Sequence, residues 1–111
     1  MVSVQRQKRQ MSVVLYNKTV SVPCIGLLDS GNLLTMPLSG NPVHIADAAL
    51  LQKLVDEKTV QKEIPYRALG NPQGKLQVYC MDGMKVETEP AKFCDWKQVW
   101  VGCAENWGAV Q

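Results

Sequence analysis

The chain has 111 residues, of which 46% are hydrophobic and 20% charged, the composition of one ordinary globular domain rather than of a disordered chain. Twelve lysines and arginines against ten aspartates and glutamates leave a formal charge of +2, too slight an excess for nucleic-acid binding to be the main business. No apolar run approaches the ~18 residues that a membrane span needs, and the opening MVSVQRQKRQ lacks the long apolar core of a signal peptide.

Arg6, Lys8 and Arg9 cluster at the start. Residues 1–12 are therefore read as a basic linker or tail, either solvated or the juxtamembrane end of a longer chain. Residues 13–111 are read as the folded domain. Met11 to Tyr16 is a short apolar run, Asn17-Lys18 a turn, and Thr19 to Val22 alternates polar and apolar, which together predict a β-hairpin. Pro23 cannot donate to a ladder, so this strand is expected at an edge or at a bend. Cys24-Ile25-Gly26-Leu27-Leu28 then delivers the chain to Asp29.

After Leu33-Leu34, the stretch Pro37-Leu38-Ser39-Gly40-Asn41-Pro42 is dense in turn formers. Val43-His44-Ile45 reads as a brief strand. Asp47 is placed to cap a helix, and Leu50, Leu51, Leu54 and Val55 recur at helical spacing, predicting a helix from Asp47 to Lys58. Ile64 to Gly74 mixes turn residues with an apolar start and reads as a hairpin or covering loop. Leu76–Met81 and Met84–Val86 flank Asp82-Gly83, a strong two-residue hairpin signal. Val99-Trp100-Val101-Gly102-Cys103 is a last buried strand. The fold class is mostly β with one clear helix.

The four cysteines (Cys24, Cys80, Cys94 and Cys103) form no Cys-x-x-Cys pair and have a single histidine, His44, to join them. This spacing suits no zinc site, so no metal or other cofactor is expected, and the cysteines are read as reduced thiols. A thiol nucleophile would want a histidine partner, but His44 between Val43 and Ile45 reads more readily as structural. Asn17-Lys18-Thr19 matches a glycosylation acceptor. Trp96, Trp100 and Trp107 are read as core or dimer packing.

The informative stretch is Leu27-Leu28-Asp29-Ser30-Gly31-Asn32. An apolar strand fixes where the carboxylate lies, glycine lets backbone N–H groups approach it, and serine can hold the turn. Such a site suits the carboxylate of an aspartic protease. That chemistry needs two carboxylates sharing one proton. The chain has one Asp-Ser-Gly, so a two-fold copy would supply the second Asp29. The plain alternative is an Asx-type turn after a strand.

Beyond the tripeptide, Leu28-Asp29-Ser30-Gly31-Asn32-Leu33-Leu34, Pro37-Leu38-Ser39-Gly40-Asn41-Pro42-Val43 and Ile64-Pro65-Tyr66-Arg67-Ala68-Leu69-Gly70 with Gly74-Lys75-Leu76 resemble the sporulation sigma-E factor-processing peptidases. The resemblance is to their C-terminal protease domain, from about Val14 to Gly102. It implies a retropepsin-like closed β-barrel that acts as a homodimer. Asp29 would be catalytic, Ser30 and Gly31 would complete the active-site loop, and Ile64, Pro65, Tyr66 and Gly70 would fall in a flap that binds substrate. It further implies a pro-sigma factor as substrate and an upstream membrane domain. The protease half would face the mother-cell cytoplasm, and a signalling protein secreted by the forespore would act through the membrane part. The chain departs from the family at Met36, where an acidic residue often precedes the first proline. A catalytically silent or latent domain of the same fold, binding a peptide or partner, is the alternative.

Overall fold

The structure, a computed structural model, describes residues 9–28, 34–46, 48–68 and 71–103. Its elements are β1 (Arg9–Asn17), β2 (Val20–Leu28), β3 (Val43–Ala46), α1 (Ala48–Leu54), β4 (Gln61–Ala68), β5 (Asn71–Glu89) and β6 (Lys92–Cys103). The mostly-β class with one helix is therefore as expected. The six strands form one sheet in the order β2-β1-β5-β6-β3, with β4 pairing to β5 off this path.

The expected barrel closure is not seen. The path ends at β2 and β3, and among the described residues no pairing joins them. Two features of these strands explain the open ends. Strand β3 is four residues long and, among the described residues, pairs only with β6, in parallel. Strand β2 carries Pro23, which has no N–H to offer a further neighbour. Its place at the end of the sheet is the one that the proline predicted.

The first hairpin forms as predicted. Asn17 pairs with Val20 around Lys18 and Thr19, and Lys18 takes the left-handed conformation the tight turn demands (φ 57°). Strand β1 starts at Arg9, paired with Leu28, so part of the segment read as a linker lies in the sheet.

The Asp82-Gly83 hairpin does not form. Strand β5 runs through both residues for 19 residues, and the chain reverses at Pro90-Ala91 instead. Two facts account for the misleading signal. First, Gly83 pairs with Tyr16 of β1, and a Cβ at Gly83 would overlap the Tyr16 phenol. The glycine leaves room for a cross-strand aromatic rather than for a turn. Second, β5 changes partners here. Its N-terminal half pairs with β4 and its C-terminal half with β1, while β6 follows the other side. Leu76 and Val78 enter one hydrophobic cluster, whereas Met81, Met84 and Val86 enter another. The polar Asp82 marks the handover between cores.

The larger cluster joins Val13, Leu15, Leu51, Leu54, Met81, Met84, Val86, Val99 and Val101. Met81 is fully buried, and removing such a side chain from water stabilises the fold by about 1.5–3 kcal/mol. The smaller cluster is Met36, Val43, Ile64, Leu76 and Val78.

The helix is shorter than predicted, ending at Leu54 rather than Lys58; Asp47 lies outside the described residues. The Asp56 carboxylate accepts hydrogen bonds from the Lys58 N–H at 2.9 Å and the Thr59 hydroxyl at 3.1 Å. This local turn competes with continuation of the helix. The end is secured by Asn17, which is buried and whose amide donates to the Leu54 carbonyl at 2.9 Å and to Thr59 Oγ1 at 3.2 Å. With its amide committed inside the fold, Asn17 is not a glycosylation acceptor.

Candidate active site

The expected catalytic Asp29, with Ser30 and Gly31, lies outside the described residues, as does Gly70 of the expected flap. The described structure nonetheless fixes the chain on either side of Asp29. Strand β2 ends at Leu28, which pairs with Arg9. On the far side, the Leu34 carbonyl accepts the Val43 N–H at 3.0 Å, and the Met36 N–H donates to the Asn41 carbonyl at 2.8 Å. Gly40, at φ 74°, turns the chain within this loop and donates to the Met36 carbonyl at 3.0 Å. A bridge between Thr35 and Pro42 completes the narrow loop of turn formers.

Met36 explains one departure from the resemblance. Its side chain is buried in the smaller cluster. A carboxylate there would be desolvated without a partner, so an apolar residue is what this packing requires.

Strands β4 and β5 form the hairpin read from Ile64 to Gly74. Ile64 pairs with Leu76, Pro65 with Lys75 and Tyr66 with Gly74, and a register irregularity falls between Tyr66 and Ala68. Strand β4 has β5 as its only partner among the described residues, so the exposed Pro65 is tolerated on an edge. Ile64 is buried in the smaller cluster, and Tyr66 is half-buried against it. That burial pushes the Tyr66 phenol above its usual pKa.

The smaller cluster gathers described residues from several separate parts of the chain. Leu34 and Met36, just past the Asp-Ser-Gly stretch, meet Ile64 and Tyr66 of the hairpin, Val43 and Ile45 of β3, and Trp100 of β6. Gly102 lets β6 approach: a Cβ there would stand 2.8 Å from Leu76 Cδ2. Within this late strand Trp100 packs on the same cluster as the hairpin, whereas Val99 and Val101 belong to the larger cluster. Lys62 Nζ lies 5.6 Å from the centre of the Trp100 ring, within range of a cation–π contact.

His44 is half-buried and stacks on Trp96, with ring centroids 5.9 Å apart. Burial holds its imidazole below its usual pKa. This is the structural role read from the sequence. The thiols of Cys80 and Cys103 are half-buried, and that of Cys94 is exposed. Burial, with the Asp82 charge behind it, pushes the Cys80 thiol up, away from thiolate chemistry.

Sequence reasoning missed a polar cluster on β1, β5 and β6. The Tyr16 hydroxyl donates to Asp95 Oδ1 at 2.6 Å and accepts from Lys97 Nζ at 2.9 Å. Lys85 and Lys97 lie 5.9 and 5.4 Å from its ring centre. The hydrogen bonds from Tyr16 and Lys97 hold the Asp95 carboxyl below its ordinary value. No local motif signals this cluster, because its members are joined by strand pairing across some eighty residues of chain.

The domain is mostly β, and its β4–β5 hairpin and Trp100 meet Leu34 and Met36, which follow the Asp-Ser-Gly stretch in the chain. Residues 2–106 match the family model described as sporulation factor SpoIIGA, a peptidase family, and the chain belongs to that family. Membership implies a sigma-factor precursor as the substrate. No curated protein and no solved structure matches the chain. Among the described residues no helix is long and apolar enough to cross a membrane.

Proposed function

We propose that this chain is an aspartic endopeptidase domain that works as a homodimer and removes the pro-sequence of an inactive sporulation sigma factor. Each subunit contributes one Asp29, and the two carboxyls share a proton across a two-fold axis. Held about 3 Å apart they cannot both ionise, so the pair titrates as a unit with one pKa lowered and the other raised. The ionised member draws a proton from water as it attacks the scissile carbonyl, and the protonated member gives its proton to the carbonyl oxygen. No covalent intermediate forms. Ser30 and Gly31 hold the loop that presents Asp29. Ile64, Pro65, Tyr66 and Gly70 belong to the hairpin that covers the bound peptide, which lies extended in the groove.

One observation supports this reading above the others. Leu34 and Met36, a few residues past Asp29, share a cluster with Ile64 and with the half-buried Tyr66. The chain that follows Asp29 and the hairpin are thereby neighbours, which supports a hairpin that covers the site. In the whole protein we place this domain on the mother-cell cytoplasmic side of a membrane domain, through which a signalling protein secreted by the forespore switches it on.

The test is Asp29→Asn in the full-length protein, assayed for cleavage of the sigma-factor precursor and checked for folding by circular dichroism. The expected result is no detectable cleavage with an unchanged spectrum and a bell-shaped pH profile in the wild type. Undiminished cleavage by the folded variant would remove the aspartic mechanism.

A further inference from the structure

Among the described residues, strand β6 has a neighbour on both sides only from Trp100 to Cys103, where β3 pairs with it. Pro42 immediately precedes β3 and has no N–H with which to extend that pairing. From Lys92 to Gln98 every residue of β6 is exposed. Two large apolar side chains stand in this stretch, Phe93 at 57% and Trp96 at 44% exposure. An open edge with unpaired backbone groups and exposed aromatics is a template for another strand.

The order of side chains along this edge selects the strand. Read outward from Trp96, it is self-complementary: Asp95 on one side is matched by Lys97 on the other, and Cys94 by Gln98. We infer that the open edge of β6 pairs antiparallel with the same edge of a second copy, with Trp96 on the two-fold axis. This surface goes beyond the proteolytic reading and is distinct from a contact at Asp29.

The register follows from charge. A self-pairing antiparallel edge must be centred on a residue, because any other register opposes outward backbone groups to inward ones. Centring on Asp95 sets carboxylate against carboxylate, and centring on Lys97 sets ammonium against ammonium. Centring on Trp96 sets Asp95 opposite Lys97 twice, and opposite charges on one face are the favoured cross-strand pairs. Within one subunit Lys97 Nζ already lies 3.0 Å from Asp95 Oδ2, yet the Lys97 side chain remains 69% exposed and free to reach a second carboxylate. On the other face the Trp96 ring stacks on His44, and its exposed part offers a flat aromatic surface on which the second Trp96 can lie. The left-handed Gln98 (φ 55°) bends the edge at the end of the overlap. The ribbon is therefore short and the association weak.

The test uses the native Cys94. In this register Gln98→Cys brings a second thiol opposite Cys94 of the other copy, while the two positions in one strand are too far apart to bridge. Under oxidised glutathione, Gln98→Cys is expected to give disulfide-linked dimers on a non-reducing gel, and Gln98→Cys/Cys94→Ser is not. Adding Asp95→Lys or Lys97→Asp to Gln98→Cys should lower the yield by about fivefold or more, because like charges then face each other. An equimolar mixture of those two variants should regain it, because each supplies the charge the other lacks. As a check that leaves both charges in place, Trp96→Cys with Cys94→Ser should link to its own copy faster than Phe93→Cys with Cys94→Ser. No dimer from Gln98→Cys, a mixture no better than its components, or equal rates at positions 96 and 93 would each overturn the inference. Precursor cleavage by the same variants reads the Asp29 mechanism separately.

Discussion

The two hydrophobic clusters differ in what surrounds them. The larger one is enclosed by β1, β5, β6 and α1, with Leu51, Leu54 and Met81 among its most buried members. The smaller one lies between the hairpin of β4 and β5, the short β3 and the loop after Asp29. The first draws on long, mutually paired strands, the second on an edge strand and on a loop held by a few backbone hydrogen bonds. Stability concentrates where non-local packing is dense, and segments that must admit a substrate are drawn from the less stable part. In this domain the larger cluster joins the long strands to the helix, and the smaller one joins the β4–β5 hairpin to the loop that follows Asp29.

Replacing a member of each cluster breaks this comparison most directly. Met81→Ala in the larger cluster is expected to cost about 2–5 kcal/mol, read as a lower midpoint in urea for the whole domain. Ile64→Ala in the smaller cluster should increase hydrogen exchange in β4 and the start of β5 ahead of the rest of the sheet. If the two variants lower protection uniformly and alike, the clusters are one cooperative unit and the distinction fails. Gly83→Ala comes next. Its methyl group displaces the Tyr16 ring and with it the contacts to Asp95 and Lys97, a cost of about 1–3 kcal/mol visible in thermal melting. An unchanged melting point would show that Tyr16 moves aside freely.

Asn17→Ala leaves the Leu54 carbonyl without its amide donor and should cost about 1–2 kcal/mol, with the loss concentrated at the end of α1. The smallest effect belongs to Asp56. The Lys18 ammonium, 2.7 Å away, and the Lys58 N–H lower its pKa from 3.8 to about 2. A carboxyl more acidic in the folded chain stabilises it above pH 4, and this contribution is lost as pH falls through about 2. Because the pair is exposed and screened by salt, Asp56→Asn should barely alter stability at pH 7. It should flatten the acid limb of the stability curve between pH 4 and pH 2. An acid limb identical to the wild type would show that Asp56 contributes nothing.

Local signals were reliable where short-range physics decides. Pro23 marked an edge strand, Asn17 to Thr19 a tight turn, and the Leu50-Leu51-Leu54 spacing a helix. They misled where a distant partner decides. Asp82-Gly83 reads as a hairpin, but Asp82 Oδ2 accepts the Lys18 N–H at 2.6 Å and Gly83 makes room for Tyr16. The last turn of the helix was lost to the side chains of Asp56 and Thr59. Of the candidate site, Ile64, Pro65 and Tyr66 fall in a real hairpin, while the Tyr16–Asp95–Lys97 cluster carried no local signature.

The sequence by itself determined the mostly-β class, the helix, the first hairpin and the Asp-Ser-Gly segment that points to peptidase chemistry, because each depends on neighbours a few residues apart. Only the tertiary structure decided that β5 is one long strand shared by two cores, and that among the described residues no pairing joins β2 to β3. It also brought the loop after Asp29 beside the β4–β5 hairpin. Those outcomes depend on which strands pair and which side chains fill the same space, and pairing between residues far apart in the chain has no periodicity to read.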